Sequence, residues 1–258
     1  MTPLDTAHKA MEAAPADDAA RLKFYERLVD SELVLLLEAE PQGDQASPQI
    51  FDTGEGRFVL VFDREERLIT FAEKTAPYVA LPGRAIAGML AGQGIGMGLN
   101  LGVAPSSFLI PSDAVDWLAA TLGTLPDEVE ERPDELSPPT GLPERLIEGL
   151  DAKLARAEGL ARFAYLAAVT YGSGRRGHLL AFIDTMPEAE PSLARAVSEA
   201  LVFSGLEAGE LDVAFFRATD EVAARLAKVG LRFDLPELPS PEGPKPPGMD
   251  PDTPPKLR

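Results

Sequence analysis

The chain has no cysteine, two histidines (His8 and His178) and one tryptophan (Trp117) among its 258 residues. Without cysteine there is no disulfide, no thiolate metal ligand and no cysteine nucleophile, a composition that fits a reducing compartment. Two histidines far apart in sequence make no His-Glu-x-x-His pair, and no paired-aspartate loop occurs, so no metal is expected. A serine–histidine system would need a distant fold-back. Ser173 sits in Gly172-Ser173-Gly174, too short for a Gly-x-Ser-x-Gly elbow. Positive charge is also scarce: 24 lysines and arginines against 42 acidic residues give a net charge of −18 and a pI of about 4.5. Such a surface repels nucleic acid and anionic membranes. No apolar run approaches the roughly 20 residues needed to cross a bilayer, and no basic-plus-apolar leader opens the chain. The expectation is a soluble, cytoplasmic, acidic protein with no cofactor, no nucleic-acid partner and no membrane partner.

What is present is packing grammar, centred on residues 81–123. Ala85, Ile86, Met89 and Leu90 form one helical face. Gly92, Gly94, Gly96 and Gly98 then alternate with Gln93, Ile95 and Met97, leaving a bare backbone face that admits a close neighbour. They do not make a phosphate loop. The i, i+2, i+5 glycine spacing fails, the order runs helix to strand, and no Gly-Lys-Ser/Thr occurs. A second helix follows Pro111-Ser112-Asp113, with Ser112 expected as its cap and Val115, Leu118, Ala119 and Leu122 as its stripe. Trp117 flanks that stripe and reads as a packing or domain-contact residue.

Around this centre, Thr2-Pro3 and Asp17-Asp18 are expected to cap two helices. Glu32–Glu38, Arg57–Phe62 and Tyr78–Leu81 read as strands, and Asp63 as the cap of a short helix carrying Leu68 and Phe71 inward. Residues 1–123 thus read as one mixed α+β layer. Residues 124–141 hold six acids against Arg132, with prolines interspersed, and are expected as a flexible acidic Pro-rich linker. A second unit spans 142–236. It comprises a helix after Pro143, a hairpin from Phe163 through Gly172-Ser173-Gly174 to Asp184, and a periodic helix with Leu193, Val197 and Leu201. Strand Leu211–Arg217, a helix capped by Thr219 and a closing strand at Leu231–Phe233 complete it. Burying those three residues of the periodic helix contributes roughly 5–9 kcal/mol gross. Residues 237–258 are proline-dense and aperiodic, and are expected as a disordered tail.

Three segments together resemble the SseB family, the enhanced serine sensitivity proteins. They are Phe24-Tyr25-Glu26-Arg27-Leu28 with Glu32–Leu36; Gly98-Leu99-Asn100-Leu101-Gly102 running into Leu109–Asp113; and Leu211–Phe215 followed by Val229–Phe233. The resemblance implies an α+β protein with N-terminal and C-terminal SseB domains, cytoplasmic and without an established reaction. Where the family often has Asn-Pro-Gly, this chain has Asn100-Leu101-Gly102.

No residue set forms a catalytic constellation, so none is assigned. The expected function is a non-enzymatic binding or adaptor protein with a protein partner, and the family's name links it to serine sensitivity. The alternative is a small-molecule (amino-acid) sensor or an enzyme of amino-acid metabolism. Candidate ligand or partner contacts are Arg84 and Asn100, flanking the glycine turn, and Arg175, Arg176 and His178, the chain's one basic island and its best anion-binding candidate.

Overall fold

A computed structural model describes residues 1–41, 43, 46–54, 56–124, 131–205 and 211–236. Thr2 opens α1 (Pro3–Ala13) with a reciprocal box: its hydroxyl accepts the Asp5 N–H at 3.1 Å, and the Asp5 carboxylate accepts the Thr2 N–H at 2.8 Å. Asp17 caps α2 (Asp18–Asp30) through the Ala19 N–H. Then follow β1 (Glu32–Leu36), β2 (Ile50–Thr53), β3 (Gly56–Phe62), α3 (Glu65–Ala72), β4 (Tyr78–Pro82), α4 (Gly83–Leu90), β5 (Ile95–Leu99), β6 (Phe108–Ile110) and α5 (Ser112–Gly123). The strands form a mixed sheet in the order β4-β1-β3-β5-β6, with β2 also paired to β3; β3 and β5 run parallel.

Strand periodicity sorts the side chains between two layers. Leu33, Leu35, Val59, Val61, Ile95, Met97 and Leu99 enter one core with α1, α2, α4 and α5. Val34, Leu36, Leu60 and Phe62 face the other way onto Leu68 of α3. The glycine run divides in two. On β5, a Cβ at Gly96 would lie 2.4 Å from the Ile110 carbonyl oxygen, and one at Gly98 would lie 2.8 Å from the Leu60 side chain, so both admit close neighbours as expected. Gly92 and Gly94 do not. They have φ of +73° and +65°; a Cβ at Gly92 would meet nothing within 4 Å and one at Gly94 would meet only the Arg57 side chain, at 3.7 Å, and the two glycines build the turn after α4. A tighter approach lies at Gly83, where a Cβ would fall 2.1 Å from the Leu28 carbonyl oxygen, locking α4 against α2.

The second unit comprises β7 (Pro133–Ser137), α6 (Glu144–Leu154), β8 (Phe163–Tyr171), β9 (Arg176–Ile183), α7 (Glu190–Phe203), β10 (Leu211–Phe216), α8 (Glu221–Val229) and β11 (Leu231–Asp234). Its sheet order is β10-β9-β8-β11, with β7 also on β8. α6 and α7 pack on the Ala164, Leu166, Leu180 and Phe182 face, and α8 on the Tyr165, Ala167, Val169 and Ile183 face.

Three local readings are corrected. Part of the expected linker is strand β7, because Leu136 finds apolar neighbours beside β8 and Pro133 sits at the first position, where a missing N–H is tolerated. Asp63 does not cap α3; its carboxylate serves Thr2 and Arg67 instead. Neither Ser112 nor Thr219 makes the expected cap: Pro111 and Asp220 hold those positions. Residues 125–130 of the expected linker and the expected tail from Glu237 onward lie outside the described residues. Across the described residues the chain is an α+β protein with eight α-helices and eleven strands in two mixed sheets. Both sheets are covered by helices on both faces, and the helical layers containing α2 and α5 on one side and α7 on the other meet.

Candidate functional site

The meeting of the two layers is ionic at its centre. Asp30 ends α2, Arg84 opens α4, Lys153 ends α6 and Glu199 lies midway along α7. Lys153 Nζ donates to both Asp30 carboxylate oxygens and to Glu199 Oε2, each at 3.0 Å. Arg84 spans the same two acids, at 2.7 Å to Asp30 Oδ1 and 3.1 Å to Glu199 Oε1. Arg156 adds a contact of 3.4 Å to Asp30. The side chains of Lys153, Glu199 and Asp30 are 7%, 3% and 9% exposed, so these charges are held away from water and depend on one another. Burial pushes the Asp30 carboxyl upward, but Lys153 and Arg84 outweigh it and hold the group below the usual carboxylate range.

An aromatic path leads outward from this seam. Lys153 Nζ lies 6.0 Å from the Phe203 ring centre, and Phe203 meets Trp117 edge-on at 6.2 Å. Trp117 lies 5.8 Å from Tyr25, which lies 5.6 Å from Phe24. Phe24 and Phe108 then enclose His8, whose ring is 1% exposed and whose nitrogens take no hydrogen bond among the described residues. His8 is thus a packed residue.

Where the path surfaces, α2 and α5 leave an open groove of about 400 Å³ lined by Arg21, Leu22, Tyr25, Pro111, Asp113, Ala114 and Trp117. Helix spacing explains it. Arg21, Leu22 and Tyr25 share one face of α2, while Asp113, Ala114 and Trp117 share one face of α5. Trp117 remains 38% exposed, which is high for a residue with so much apolar area. Burial raises the Tyr25 phenol above its ordinary value, with Arg21 opposing and Asp113 adding to the shift. The groove therefore offers two tilted rings, an apolar floor, one cation and one carboxylate. It suits an extended, partly apolar segment better than an enclosed metabolite.

The residues singled out from sequence do not converge. Arg84 is in the seam. Asn100 is fully buried at φ +47°, donating to Ser106 Oγ at 2.9 Å and accepting from the Asp63 N–H at 3.2 Å. Ser106 passes the bond on to Asp5 at 2.6 Å, and Arg67 binds Asp5 with both terminal nitrogens and Asp63 with one. Arg175 lies over the Tyr171 ring at 4.2 Å and bonds Glu131 and Asp212 at 2.8 Å and 2.9 Å, so two carboxylates already engage it. Arg176 is exposed, and His178 Nε2 lies 3.0 Å from the Thr140 carbonyl oxygen. The glycine turn borders a shallow apolar cleft of about 130 Å³ with Ile50, Val59, Met89 and Ile95. Sequence reasoning missed the groove. The available signal was Tyr25 and Trp117, two large rings at the margins of two helical stripes.

Among the described residues no group of acids and histidines could hold a metal ion, and no helix is long and apolar enough to cross a membrane. The fold defines an α+β protein built as two helix-covered sheets fused through a charged seam. Residues 8–117 match the family model described as the SseB protein N-terminal domain, so the first unit carries that family's N-terminal domain. The match runs from the packed His8 to the groove's Trp117. No curated protein and no solved structure matches the chain.

Proposed function

We propose that this SseB-family protein is a non-enzymatic cytoplasmic binding or adaptor protein, and that the groove between α2 and α5 is where it meets a protein partner. The carrying observation is the half-exposed Trp117–Tyr25 pair on helices held in place by the seam. A rigid aromatic surface loses little entropy when it is covered. On this reading residues 1–123 and 142–236 act as one body, the second as a C-terminal SseB domain. Arg175, Arg176 and His178 then stabilise the hairpin tip and do not contact the partner. The test is site-specific photocrosslinking in cells, with the reactive group at Ala114 in the groove and, as control, at Thr70 on the opposite layer. Adducts of defined mass at Ala114 alone, lost on Tyr25→Ala, are expected. Equal labelling at both positions overturns the proposal.

A second reading, a sensor of small amino acids, is favoured by Arg21 and Asp113 on either side of Tyr25, which match the two charges of a zwitterion. A thermal-shift series with serine and related amino acids tests it. A ligand at 100 times its Kd adds about 2.7 kcal/mol of stability, and an unchanged melting temperature across the series removes this reading.

A further inference from the structure

The groove's chemistry selects a kind of segment, and the chain contains one. Two aromatic rings in contact at 5.8 Å, tilted by 55°, present adjoining flat faces on which proline rings can lie, and polyproline segments dock on such aromatic-lined grooves because they are already ordered before binding. Pro111 adds an apolar wall, and Asp113 supplies a carboxylate at the rim. The 22 residues after Pro236 contain eight of the chain's 24 prolines, including Pro244-Lys245-Pro246-Pro247, where a cation lies between prolines.

The exit point of that segment is linked to α2 through two contacts. The Pro236 carbonyl oxygen accepts the Gly159 N–H at 2.9 Å. Gly159 is three residues beyond Arg156, whose guanidinium approaches the Asp30 backbone carbonyl at 3.5 Å. Asp30 and Tyr25 are five residues apart on α2, about 7.5 Å along its axis. With the backbone and the arginine side chain counted at each link, the path from Pro236 to Tyr25 is at most about 39 Å. At roughly 3.1 Å per residue, Pro244 is reached at about 25 Å and Pro247 at about 34 Å, lengths of the same order as that upper bound. An effective concentration of about millimolar for a tethered segment fills the groove even where the free segment binds weakly.

The geometry points to residues 244–247 of this same chain as the occupant of the α2–α5 groove, with the prolines on Trp117 and Tyr25 and Lys245 toward Asp113. This deepens the proposed function and rests on the groove being the contact surface: an external partner gains access by displacing the chain's own segment.

Because Trp117 is the only tryptophan, its fluorescence reports the groove and the Phe203 contact beside it, with no signal from a second tryptophan. The full-length protein is compared with a full-length variant carrying Pro244→Ser, Pro246→Ser and Pro247→Ser. These substitutions lie beyond β11, and far-ultraviolet circular dichroism checks that the fold is kept. The variant is expected to show a red-shifted emission and about a twofold or larger rise in acrylamide quenching, since the tethered segment no longer fills the slot. A synthetic peptide of residues 237–250 should reverse both changes saturably, and the same peptide with Lys245→Glu should do so less well. Identical quenching of wild type and variant overturns the assignment. If the peptide nevertheless protects Trp117 in both proteins, the slot takes a proline-rich segment from another molecule, and the proposed function stands while its autogenous occupant falls. If the peptide protects neither, proline recognition is overturned, and the crosslinking at Ala114 decides separately whether a partner of other chemistry uses the groove. A quenching difference that grows with protein concentration would assign the segment to a second copy and overturn docking within one chain.

Discussion

Two buried ionic clusters among the described residues are built on opposite plans. The knot of Thr2, Asp5, Asp63, Arg67, Asn100 and Ser106 lies wholly within the first unit and pairs two carboxylates with one guanidinium, hydroxyls and an amide making up the remaining bonds. The seam of Asp30, Arg84, Lys153, Arg156 and Glu199 is divided between the units and pairs two carboxylates with three cations. The knot has a single cation, so it has no substitute. The seam has an excess, so losing one cation leaves the acids partly paired. The first cluster therefore determines whether the first unit folds, and the second determines how the two units sit together.

Removing the knot's cation should have the largest effect. Arg67→Met leaves the Asp5 and Asp63 side chains, 1% and 5% exposed, without a counter-charge. Stripping a buried pair of its partner costs roughly 3–5 kcal/mol. Urea titration followed by Trp117 emission and by circular dichroism should show one coincident transition at much lower denaturant. A loss under about 1 kcal/mol, within the usual range for a surface ion pair, would mean that the two clusters do not differ in the way described.

The matching change in the seam is Lys153→Met, with an expected loss of roughly 1–3 kcal/mol because Arg84 still bridges Asp30 and Glu199. Its signature is a change of order as well as size. Trp117 touches Phe203 of the other unit, so its emission should shift at lower urea than the circular dichroism does. Coincident curves would show that the units do not part before they melt.

Acid should sharpen the comparison in a graded way. Burial raises the Asp5 carboxyl, but the bonds from Arg67 and Ser106 outweigh this and hold it well below the usual range; Asp30 is lowered likewise by Lys153 and Arg84. Both groups therefore lend stability that is complete above about pH 4, the ordinary carboxylate value, and that is lost as pH falls through their folded values. Melting temperatures between pH 7 and pH 2 should decline only below about pH 4, and Arg67→Met should flatten the part of the decline that belongs to Asp5. A decline beginning near pH 6 would assign the dependence to a group in neither cluster.

Periodicity made the strands and helices legible, since Leu33 and Leu35 against Val34 and Leu36 already separate the two faces of β1. It also marked Trp117 as a packing or domain-contact residue, and its edge-on contact with Phe203 is of the second kind. It could not reveal either cluster, because Asp30, Lys153 and Glu199 are ordinary surface types in sequence and become partners only when α2, α6 and α7 cross. The same limit hid the groove and made Asn100 and Arg175 look available when both are engaged internally. Strand β7 escaped because the acids and prolines around Leu136 masked one apolar contact. Nothing in the sequence singled out Gly83, and only the approach of the Leu28 carbonyl explains it.

The smallest effect compares two helix caps, one inside the knot and one outside it. Thr2 and Asp17 each satisfy an N-terminal amide of a helix, at 3.1 Å and 3.0 Å. Asp17 does nothing else among the described contacts and is exposed, so Asp17→Ala should cost about 0.5–1 kcal/mol, the usual worth of a cap. Thr2 is 6% exposed and its hydroxyl also donates to Asp63 at 2.6 Å, so Thr2→Ala removes a cap and a buried charge-assisted bond together. About 1.5–3 kcal/mol is expected. The two terms separate in a Thr2→Ala, Asp63→Asn double-mutant cycle read by urea titration. A coupling of at least about 0.5 kcal/mol assigns the excess to the knot. Purely additive losses would reduce Thr2 to a cap like Asp17 and leave Asp5 alone to tie the amino-terminal helix to the cluster.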